Sequence, residues 1–589
     1  MDRDNLFGLF KESIQGQVEH HLKAEFGAQE NLTFKFEIPP EPSLGHLALA
    51  CFPFAKATKQ APPKIAQLLA QKIEPNRAWE RVVASGPYLN FFLNPKELAS
   101  LVFPQVLKPD YGCSSLGKGQ KVMLEYSSPN TNKPLHLGHG RNNLLGMALS
   151  RLLETAGYQV IKANLVNDRG IHICKSMLAY QERWVYAELP LPPTPQSTGK
   201  KGDKLVGDFY VAYDKKSKED PTVADQAAQL LRDWELGKPE VLALWRQMND
   251  WVLKGFEVTY QRLGCEFDRF YFESKTYQSG REIVLKAFGQ GLCGKEDNGA
   301  ISVELDDPNQ PKKILLRGDG TSMYITQDLG TTVQKFQDYA PLDRCLFVVG
   351  NEQDQHFKTL FEVLGRFGYS FGLEHISYGM ITLPEGKMKS REGTVVDLDD
   401  LLDELKGMAA EEILAREMFD PQTQGPQIEF TAEAIGQGAL KFLILKSGAA
   451  KEITFNPKES LSFEGATGPY LQYTHARISS LLAKAATEPA VEPKLEIGAD
   501  WNEGETGLLL ALAKYYEVLL ASVTDRNPGA LCNYLFELCR SFNKYYYDTP
   551  VLKAETRTLV EARLGLCLAV QAVLAKGLRL LGIEPLTKM

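Results

Sequence analysis

Residues 121–166 read KVMLEYSSPNTNKPLHLGHGRNNLLGMALSRLLETAGYQVIKANLV, and their pattern is the strongest indication of the fold class. The stretch opens with the strand-like run KVMLEYSS and closes with another, QVIKANLV. Between them, apolar residues recur at helical spacing from Leu144 to Leu152, so residues 141–156 are predicted to form a helix that stops at Gly157. A strand, a helix and a second strand in this order predict a βαβ unit, which requires a parallel sheet.

The same alternation continues downstream and then stops. Helices are predicted at residues 329–339 and 353–367, with the strand RCLFVVG between them and the strand HISYGMITL after them. In the N-terminal part, strands such as residues 88–93 mix with an amphipathic helix, whereas the C-terminal part contains only amphipathic helices. We therefore predict a multidomain α/β protein with a Rossmann-like parallel-sheet domain, a small α+β N-terminal domain and an all-α C-terminal bundle.

These changes of pattern predict the domain boundaries. Residues 1–108 form the N-terminal domain, and residues 109–396 form the α/β domain, which carries an insertion at about 185–262. Residues 397–429 are predicted to form a connecting helical stem and residues 430–589 the bundle. The insertion begins with the Pro- and Lys-rich stretch ELPLPPTPQSTGKKGDK, which is typical of an exposed excursion.

The composition is that of a soluble enzyme. The 589 residues are 44% hydrophobic and 24% charged, which argues against disordered and membrane classes. A net charge of -8 argues against a protein that binds nucleic acid over its whole surface, but it allows local basic patches, and charge alone decides nothing. Nine cysteines without a CxxC pair predict reduced thiols, no zinc site and no disulfide framework. The charged first residues show no secretory signal, so a cytoplasmic protein is expected.

The loop between the first strand and the first helix carries the candidate chemistry. In an open parallel sheet, ligands bind at the carboxyl ends of the strands, where helix N-termini offer free N–H groups to phosphates. His136 and His139 lie at that point and enclose Gly138. Gly138 would let a flat base approach the backbone, and the imidazoles could donate to developing phosphate charge. The plainer interpretation is that these histidines only cap the helix.

A second basic element follows the last predicted strand. The stretch LPEGKMKSREGTVVDLDDLL, residues 383–402, places Lys387, Lys389 and Arg391 in a loop with two glycines. Such a loop could close on a triphosphate. Alone it would more simply be a solvated basic loop. Two such elements at the two ends of one α/β block together favour a triphosphate site.

These strings resemble a known enzyme family. HLGH and KMKSR resemble the HIGH and KMSKS signatures of class I aminoacyl-tRNA synthetases. The wider strings SSPN-x-x-KPLHLGHGR, GTSMYITQDLG and GPYLQYTHARISSLL are similar to arginyl-tRNA synthetases, and the resemblance extends over nearly the whole chain. It implies that ATP, with Mg²⁺, activates L-arginine to arginyl-adenylate and that arginine then moves to the 3′-terminal adenosine of tRNA(Arg). It also implies a monomer that needs no membrane and no dedicated protein-bound metal.

The resemblance assigns the phosphate-side residues. The catalytic residues it implies are His136, His139, Lys133 and Lys387, and the ATP-binding residues add Gly138, Lys389, Ser390 and Arg391. Two departures stand out. Ser390 occupies the position of the second KMSKS lysine, and Lys133, three residues before His136, is expected to supply the missing charge. The segment NDRGIHICKSM, residues 167–177, is not the commonest form of its region and receives no role.

Arginine recognition requires carboxylates, because a guanidinium is a fixed cation with a planar fork of donors. The family pattern supplies Glu273 and Asp328, and its further arginine contacts fall on Tyr324, Gln353 and Asn130. Four of these residues also have a plainer explanation. Glu273 could be an exposed carboxylate, Asp328 a helix N-cap and Tyr324 a core residue, and Gln353 could cap its own helix.

The resemblance also predicts two RNA-binding surfaces. In the C-terminal bundle, the implied anticodon contacts are Tyr470, Tyr473, Arg477 and Met589, since rings and a cation suit splayed-out bases. In the N-terminal domain, Tyr88 and Asn90 would contact the tRNA D-loop from one face of a strand. Bundle core, a frayed terminus and an ordinary sheet strand are the respective alternatives.

Two other functions stay open on sequence alone. A small-molecule nucleotidyltransferase could use the same HxGH site, but it would not need the flanking domains. A catalytically idle tRNA-binding homologue is the second possibility, and the intact HLGH with Lys133 and Lys387 argues against it.

Overall fold

The computed structural model describes residues 5–27, 32–307, 310–382, 384, 396–487 and 491–589. The strands are β1 Phe36–Glu37, β2 Leu47–Ala50, β3 Trp79–Ser85, β4 Tyr88–Leu93, β5 Lys121–Glu125, β6 Gln159–Val166, β7 Arg269–Phe272, β8 Gly294–Lys295, β9 Ile301–Val303, β10 Lys313–Leu316, β11 Arg344–Gly350, β12 Leu373–Tyr378, β13 Ile381–Thr382 and β14 Ile453–Thr454.

The helices run between and after these strands. They are α1 Leu6–Phe26, α2 Ala55–Thr58, α3 Pro62–Lys72, α4 Pro95–Val106, α5 Leu137–Thr155, α6 Ile171–Gln181, α7 Pro195–Thr198, α8 Gly202–Glu219, α9 Val223–Glu235, α10 Pro239–Leu263, α11 Glu273–Gly289, α12 Tyr324–Asp338, α13 Asp354–Arg366, α14 Leu398–Ala415, α15 Gly425–Lys446, α16 Pro457–Ser460, α17 Gly468–Thr487, α18 Glu503–Ala513, α19 Tyr515–Thr524, α20 Gly529–Asp548 and α21 Arg557–Leu580.

The chain divides into two compact units. One unit contains Met1–Leu116, Thr155–Gly157 and Ser462–Met589, and the other contains Gly117–Glu154 and Tyr158–Leu461. The terminal segments of the first unit therefore share one contact network. Within it, Tyr111 donates through its hydroxyl to the Leu512 carbonyl oxygen over 2.8 Å.

The first unit combines a small sheet with a helical bundle. Its antiparallel sheet has the order β1-β2-β4-β3, and its bundle consists of α17 to α21. Helix α18 begins with a reciprocal cap, in which Asn502 accepts from the Glu505 backbone and Glu505 accepts from the Asn502 backbone. The stretches Glu503–Thr524 and Arg557–Leu580 are apolar and long enough to span a membrane by composition, but 61% and 67% of their most apolar windows are buried inside this unit. Burial of that extent is typical of core helices.

The second unit is built on a five-stranded parallel sheet. Its order is β12-β11-β5-β6-β7, and every adjacent pair is parallel. The predicted βαβ unit is confirmed as β5-α5-β6, and the Rossmann-like sheet, the N-terminal domain and the helical C-terminal domain are all present. Because the chain moves from β5 outward in one direction and later returns to β11 on the other side, the strand order reverses between β5 and β11. Ligands are expected at that crevice.

Close packing fixes α5 on the sheet. A Cβ at Gly146 would lie 2.3 Å from the Tyr126 ring, so glycine lets the helix approach the end of β5. Behind the sheet, Lys335 of α12 and Glu125 of β5 form a buried ion pair at 2.5 Å, with side chains 1% and 5% exposed. This pair ties α12 to the central strand, and α12 carries two of the predicted arginine contacts.

Candidate active site

The loop after β5 is held in an uncommon conformation at the strand-order reversal. Ser127 and Ser128 have φ values of 79° and 47°, which L-residues other than Asn and Asp rarely adopt. The Asn142 and Asn164 side-chain oxygens accept from the backbone N–H groups of Ser127 and Ser128, over 2.5 and 3.2 Å. Helix α5 and strand β6 thus stabilise the strained turn that leads into the signature.

The two signature histidines lie at the start of α5, with His136 just before the helix and His139 in its first turn. Their ring centroids are 3.8 Å apart. The Nδ1 atom of His139 accepts from the His136 backbone N–H over 3.2 Å, and the Nδ1 atom of His136 accepts from Gly138 over 3.1 Å. A neutral imidazole that accepts through Nδ1 carries its proton on Nε2. The capping interpretation and the functional one are therefore compatible, since capping leaves both Nε2–H groups as donors.

Burial keeps both rings neutral. Burial, assisted by the charge of Lys133, lowers the pKa of His136 to about 4. Burial also places the pKa of His139 well below its ordinary value, with smaller contributions from His136 and Lys133. Neutral imidazoles with protonated Nε2 atoms stay hydrogen-bond donors across the physiological pH range. They are suited to charge that develops on a phosphate, not to proton abstraction.

Gly138 packs tightly against the His136 ring. A Cβ at this position would lie 3.0 Å from Cε1 and 3.1 Å from Nδ1 of His136. Side-chain bulk would therefore displace the His136 ring. The sequence predicted that this glycine admits a base, and the structure adds that it admits the imidazole of its own signature.

Lys133 lies beside these imidazoles, as the resemblance implies. Its side chain is half-buried, and burial lowers its pKa while the charge of Asp214 opposes the shift. Within the described parts of the chain, Lys133 has no ion-pair partner within 4 Å. Helix α8 packs against the loop at this point, because a Cβ at Gly207 would lie 2.9 Å from Pro134.

The KMSKS-like residues Lys387, Lys389, Ser390 and Arg391 lie outside the described residues. The chain that follows them lies directly against the signature. Leu137 donates to the Val396 carbonyl oxygen over 3.1 Å, and Leu398 donates to the Leu135 carbonyl oxygen over 3.0 Å. Asp397 and His136 form an antiparallel bridge. The described chain from Val396 to Leu398 is thus hydrogen-bonded to the signature loop.

The two predicted carboxylates lie in the first two turns of neighbouring helices. Glu273 is the first residue of α11, and Asp328 lies in the second turn of α12. The helices approach closely, since a Cβ at Gly280 would lie 1.7 Å from the Thr326 carbonyl oxygen. Burial, followed by the charges of Asp328 and Asp168, raises the pKa of Glu273 to about 8, and Arg169 opposes the shift. Clustered carboxylates of this kind favour a cationic ligand.

Most of the plainer explanations for the arginine-site residues do not fit the geometry. The N-cap of α12 is Met323, so Asp328 is not the cap, and its Oδ2 lies 2.7 Å from His356 Nε2. Tyr324 is 78% exposed and is not a core residue. Gln353 precedes α13 without a side-chain capping bond and is exposed.

Asn130 connects to the same region through the backbone. It forms a parallel bridge with Asn167 at the ends of β5 and β6. The site residues that the sequence missed are Asn167, Asp168 and His356. The first two lie in the segment NDRGIHICKSM, which received no role, and the contact of His356 with Asp328 joins two helices that no local pattern relates.

The predicted tRNA contacts of α17 form a polar and aromatic network with α20. Arg477 donates to the Tyr473 hydroxyl over 3.0 Å, and its guanidinium lies 4.7 Å from the centre of that ring. Asn543 donates to the Tyr470 hydroxyl over 3.0 Å. Both tyrosines are half-buried, and α20 adds Tyr547, which is 90% exposed.

Hydrogen bonds anchor the C-terminal tail to α17 as far as Leu586. The Leu586 carbonyl oxygen lies 2.8 Å from His475 Nδ1, and Gln472 donates to the Glu584 carbonyl oxygen over 3.0 Å. Met589 is half-buried just beyond this anchor.

In β4 the expected open face fits Tyr88 only. Asn90 lies on the same side of the strand but is only 5% exposed. The chain at Gly45 packs against it, since a Cβ added at Gly45 would lie 3.2 Å from Asn90 Cβ. The expectation that both side chains point at RNA needs this correction.

Comparison with known proteins agrees with this architecture. Residues 103–456 match the family model for the catalytic domain of class I tRNA synthetases (R), residues 471–589 match the DALR anticodon binding domain, and residues 12–93 match the arginyl tRNA synthetase N terminal domain. The chain belongs to the arginyl-tRNA synthetase family. The catalytic-domain model alone covers more than half of the chain.

Similar proteins extend over almost the full length. An arginine–tRNA ligase of Treponema denticola is 45% identical over 92% of this chain and 93% of its own length, and one of Parabacteroides distasonis is 41% identical over 98% and 99%. The solved arginyl-tRNA synthetase of Thermus thermophilus superposes with a TM-score of 0.76 at 26% identity, covering 98% of this chain and 100% of that one. Such coverage supports a synthetase and not a small nucleotidyltransferase.

Proposed function

We propose that the crevice between β5 and β11 carries out arginine activation in this chain. Full-length family membership makes the chain an arginine–tRNA ligase. The observation that supports this location is the pairing of two features at one sheet edge. Neutral imidazole donors lie at the start of α5, and the clustered carboxylates Glu273 and Asp328 lie at the starts of α11 and α12. The first set suits a triphosphate and the second a guanidinium.

In the first step, a carboxylate oxygen of arginine attacks the α-phosphorus of ATP. The bond from that phosphorus to the bridging oxygen breaks, and pyrophosphate leaves with its electron pair. The Nε2–H groups of His136 and His139 donate to the phosphate oxygens as negative charge develops, and Lys133 and Lys387 supply positive charge. The acceleration comes from positioning and preorganised donors, because no enzyme nucleophile is needed.

Arginine is held at both of its ends. Glu273 and Asp328 accept from the guanidinium, and Tyr324 lies beside it at the rim of the pocket. Asn130 holds the α-amino or carboxylate end, and Gln353 is a further contact to arginine. In this arrangement the substrate cation neutralises a pocket that otherwise concentrates like charge.

In the second step, the arginyl group passes from the adenylate to the 2′-hydroxyl of the terminal adenosine of tRNA(Arg), and AMP leaves. Tyr470, Tyr473, Arg477 and Met589 are proposed to bind anticodon bases, by stacking and through base edges. Tyr88 is proposed to contact the D-loop, with Asn90 beneath it.

Several finer statements complete the proposal. ATP enters as its magnesium complex, so Mg²⁺ is part of the substrate. Within the described ranges, no three His, Cys, Asp or Glu side chains are grouped to hold a metal ion. The chain is proposed to act as a cytoplasmic monomer without a membrane partner. The four predicted domains, 1–108, 109–396, 397–429 and 430–589, are proposed as its functional divisions.

ATP–pyrophosphate exchange with tRNA present tests the pocket. We expect Glu273→Ala and Asp328→Ala each to lower kcat/KM for arginine by a factor that corresponds to ~2–4 kcal/mol of transition-state stabilisation. This is the cost of leaving a desolvated guanidinium partly unpaired. The KM for ATP should stay within about twofold, as should every constant of Glu282→Ala, an exposed carboxylate on the same helix. Wild-type kinetics in both pocket variants would show that arginine binds elsewhere.

A further inference from the structure

The segment Asn167 to Arg169 follows β6 and lies between the two ends of the proposed arginine site. The Asn167 backbone N–H donates to the Pro129 carbonyl oxygen over 3.0 Å, and the Thr131 N–H donates to the Asn167 carbonyl oxygen over 3.1 Å. The segment is thus fixed to the loop that carries Asn130. The side chains of Asn167 and Asp168 reach the start of α11, at Glu273 and Ser274.

The Asn167 side chain contacts Glu273 directly. With its amide turned so that both ends are satisfied, the nitrogen donates to Glu273 Oε2 over 3.1 Å and to the Arg169 carbonyl oxygen over 2.8 Å. The amide oxygen lies 3.0 Å from the side-chain amide of Asn130. One side chain therefore touches the predicted ligand of the guanidinium and the predicted ligand of the opposite end of the substrate.

Asp168 fixes the helix turn on which Glu273 stands. Its Oδ1 accepts from the Ser274 backbone N–H over 2.9 Å, and its Oδ2 accepts from the Ser274 hydroxyl over 2.6 Å. The Asp168 carbonyl oxygen accepts from Trp245 Nε1 over 2.6 Å. The N-cap residue of α11 makes no side-chain capping bond, and the carboxylate of Asp168, from the loop after β6, caps the helix instead. The capped residue is the neighbour of Glu273.

We propose that Asn167 and Asp168 are positioning residues that hold Glu273 in place for the substrate guanidinium. This rests on the proposed function of Glu273. Asn167 leaves one carboxylate oxygen of Glu273 free to accept from the substrate, and Asp168 prevents the first turn of α11 from moving. In many binding sites, residues that hydrogen-bond a ligand-binding side chain orient it, and their loss weakens ligand binding although the ligand-binding side chain is still present.

A double-mutant cycle tests the proposal by arginine kinetics in ATP–pyrophosphate exchange. Asn167→Ala should raise the KM for arginine roughly tenfold, the scale of losing one hydrogen bond to a charged group, and should leave the KM for ATP within about twofold. In the Glu273→Ala background the same substitution should add less than about twofold, because its partner is already gone. Equal effects in both backgrounds would overturn the positioning role.

Ser274→Ala examines the contribution of Asp168 without removing a buried charge. It deletes the hydroxyl donor and should raise the arginine KM by about three- to fivefold. Ser279→Ala is the matched control, since Ser279 lies on α11 and donates to the Thr276 carbonyl oxygen of its own helix. An unchanged KM in Ser274→Ala, or an equal rise in Ser279→Ala, would contradict the proposal. If Glu273→Ala itself leaves the arginine KM unchanged, the pocket assignment fails as well, so the two failures are distinguishable.

Discussion

At the scale of single residues, the sequence located the residues of the signature loop but not the contacts between residues far apart in the chain. The string HLGH located His136 and His139, and the geometry then assigned their protonated nitrogens. Asp168 contacts Ser274 over a separation of 106 residues, and no local period relates two positions so far apart. A sequence pattern therefore finds groups that share a loop. Contacts between elements that are adjacent only in space can be identified only from the folded structure.

Lys133→Ala tests the charge that replaces the missing loop lysine. Since Ser390 carries no charge, Lys133 is expected to supply that charge, and its alanine variant should lower kcat for adenylate formation by about 10²-fold. A Lys133→Ala, Ser390→Lys double variant should regain part of the loss. Pyrophosphate exchange measures both. Near-normal exchange in the single variant would contradict the compensation.

The pH dependence of arginine binding tests the carboxylate cluster. In the free enzyme the pKa of Glu273 is about 8, because of burial and of Asp328 and Asp168, with Arg169 opposing. Below that pH the carboxyl is protonated, and a guanidinium binds its ionised form, so arginine binding releases a proton. The arginine KM should fall as pH rises from about 6 to 8, by up to about tenfold per unit, and then level off. Glu273→Gln should remove this dependence, and a KM that falls identically in that variant would assign it to another group.

At the scale of secondary-structure elements, whether a segment forms a helix or a strand was easier to predict than its first and last residues. Strand β4 was predicted at residues 88–93 and has those bounds, but α5 begins at Leu137 instead of residue 141. Glycines at 138 and 140 have low helix propensity, and because of them the sequence pattern did not predict the first turn of α5. Tertiary contacts override that propensity, because a Cβ at Gly140 would lie 2.9 Å from Leu398. Likewise, α12 begins at Tyr324, ahead of the predicted residue 329.

Gly138→Ala tests the first turn of α5. The added Cβ would lie 3.0 Å from the His136 ring and displace it. We expect kcat for adenylate formation to fall about tenfold or more, the scale for misplacing one preorganised donor. The unfolding temperature should not fall, because alanine favours a helix over glycine. Gly16→Ala in α1, where a Cβ meets nothing within 4 Å, is the control and should leave kcat unchanged. Wild-type kcat in Gly138→Ala would show that the ring does not depend on the glycine.

Helix α17 is tested by tRNA charging at limiting tRNA. Tyr473→Ala or Arg477→Ala should weaken charging by ~1–3 kcal/mol, the worth of one stacking platform. The guanidinium lies against the Tyr473 ring, so the two losses should not add. Exchange at saturating tRNA should be affected less than charging at limiting tRNA. Unchanged charging at low tRNA would leave these residues as support for the bundle.

At the scale of the whole molecule, the order of the domains was predictable because the pattern of apolar residues differs from one domain to the next. Alternating strands and helices indicated the parallel sheet, and uninterrupted amphipathic helices indicated the bundle. The sequence did not reveal that the two ends of the chain share one compact unit, since contacts such as Tyr111 with Leu512 join segments 401 residues apart.

The most direct test of the central claim compares arginine with lysine in pyrophosphate exchange, with tRNA(Arg) present, in the wild-type chain and in Asp328→Ala. Two carboxylates suited to a planar fork should favour arginine by about 10³-fold or more in kcat/KM. The variant should lose at least about tenfold of that preference while its KM for ATP is unchanged. A wild-type chain that activates both amino acids equally, or a variant with undiminished preference, would contradict the account.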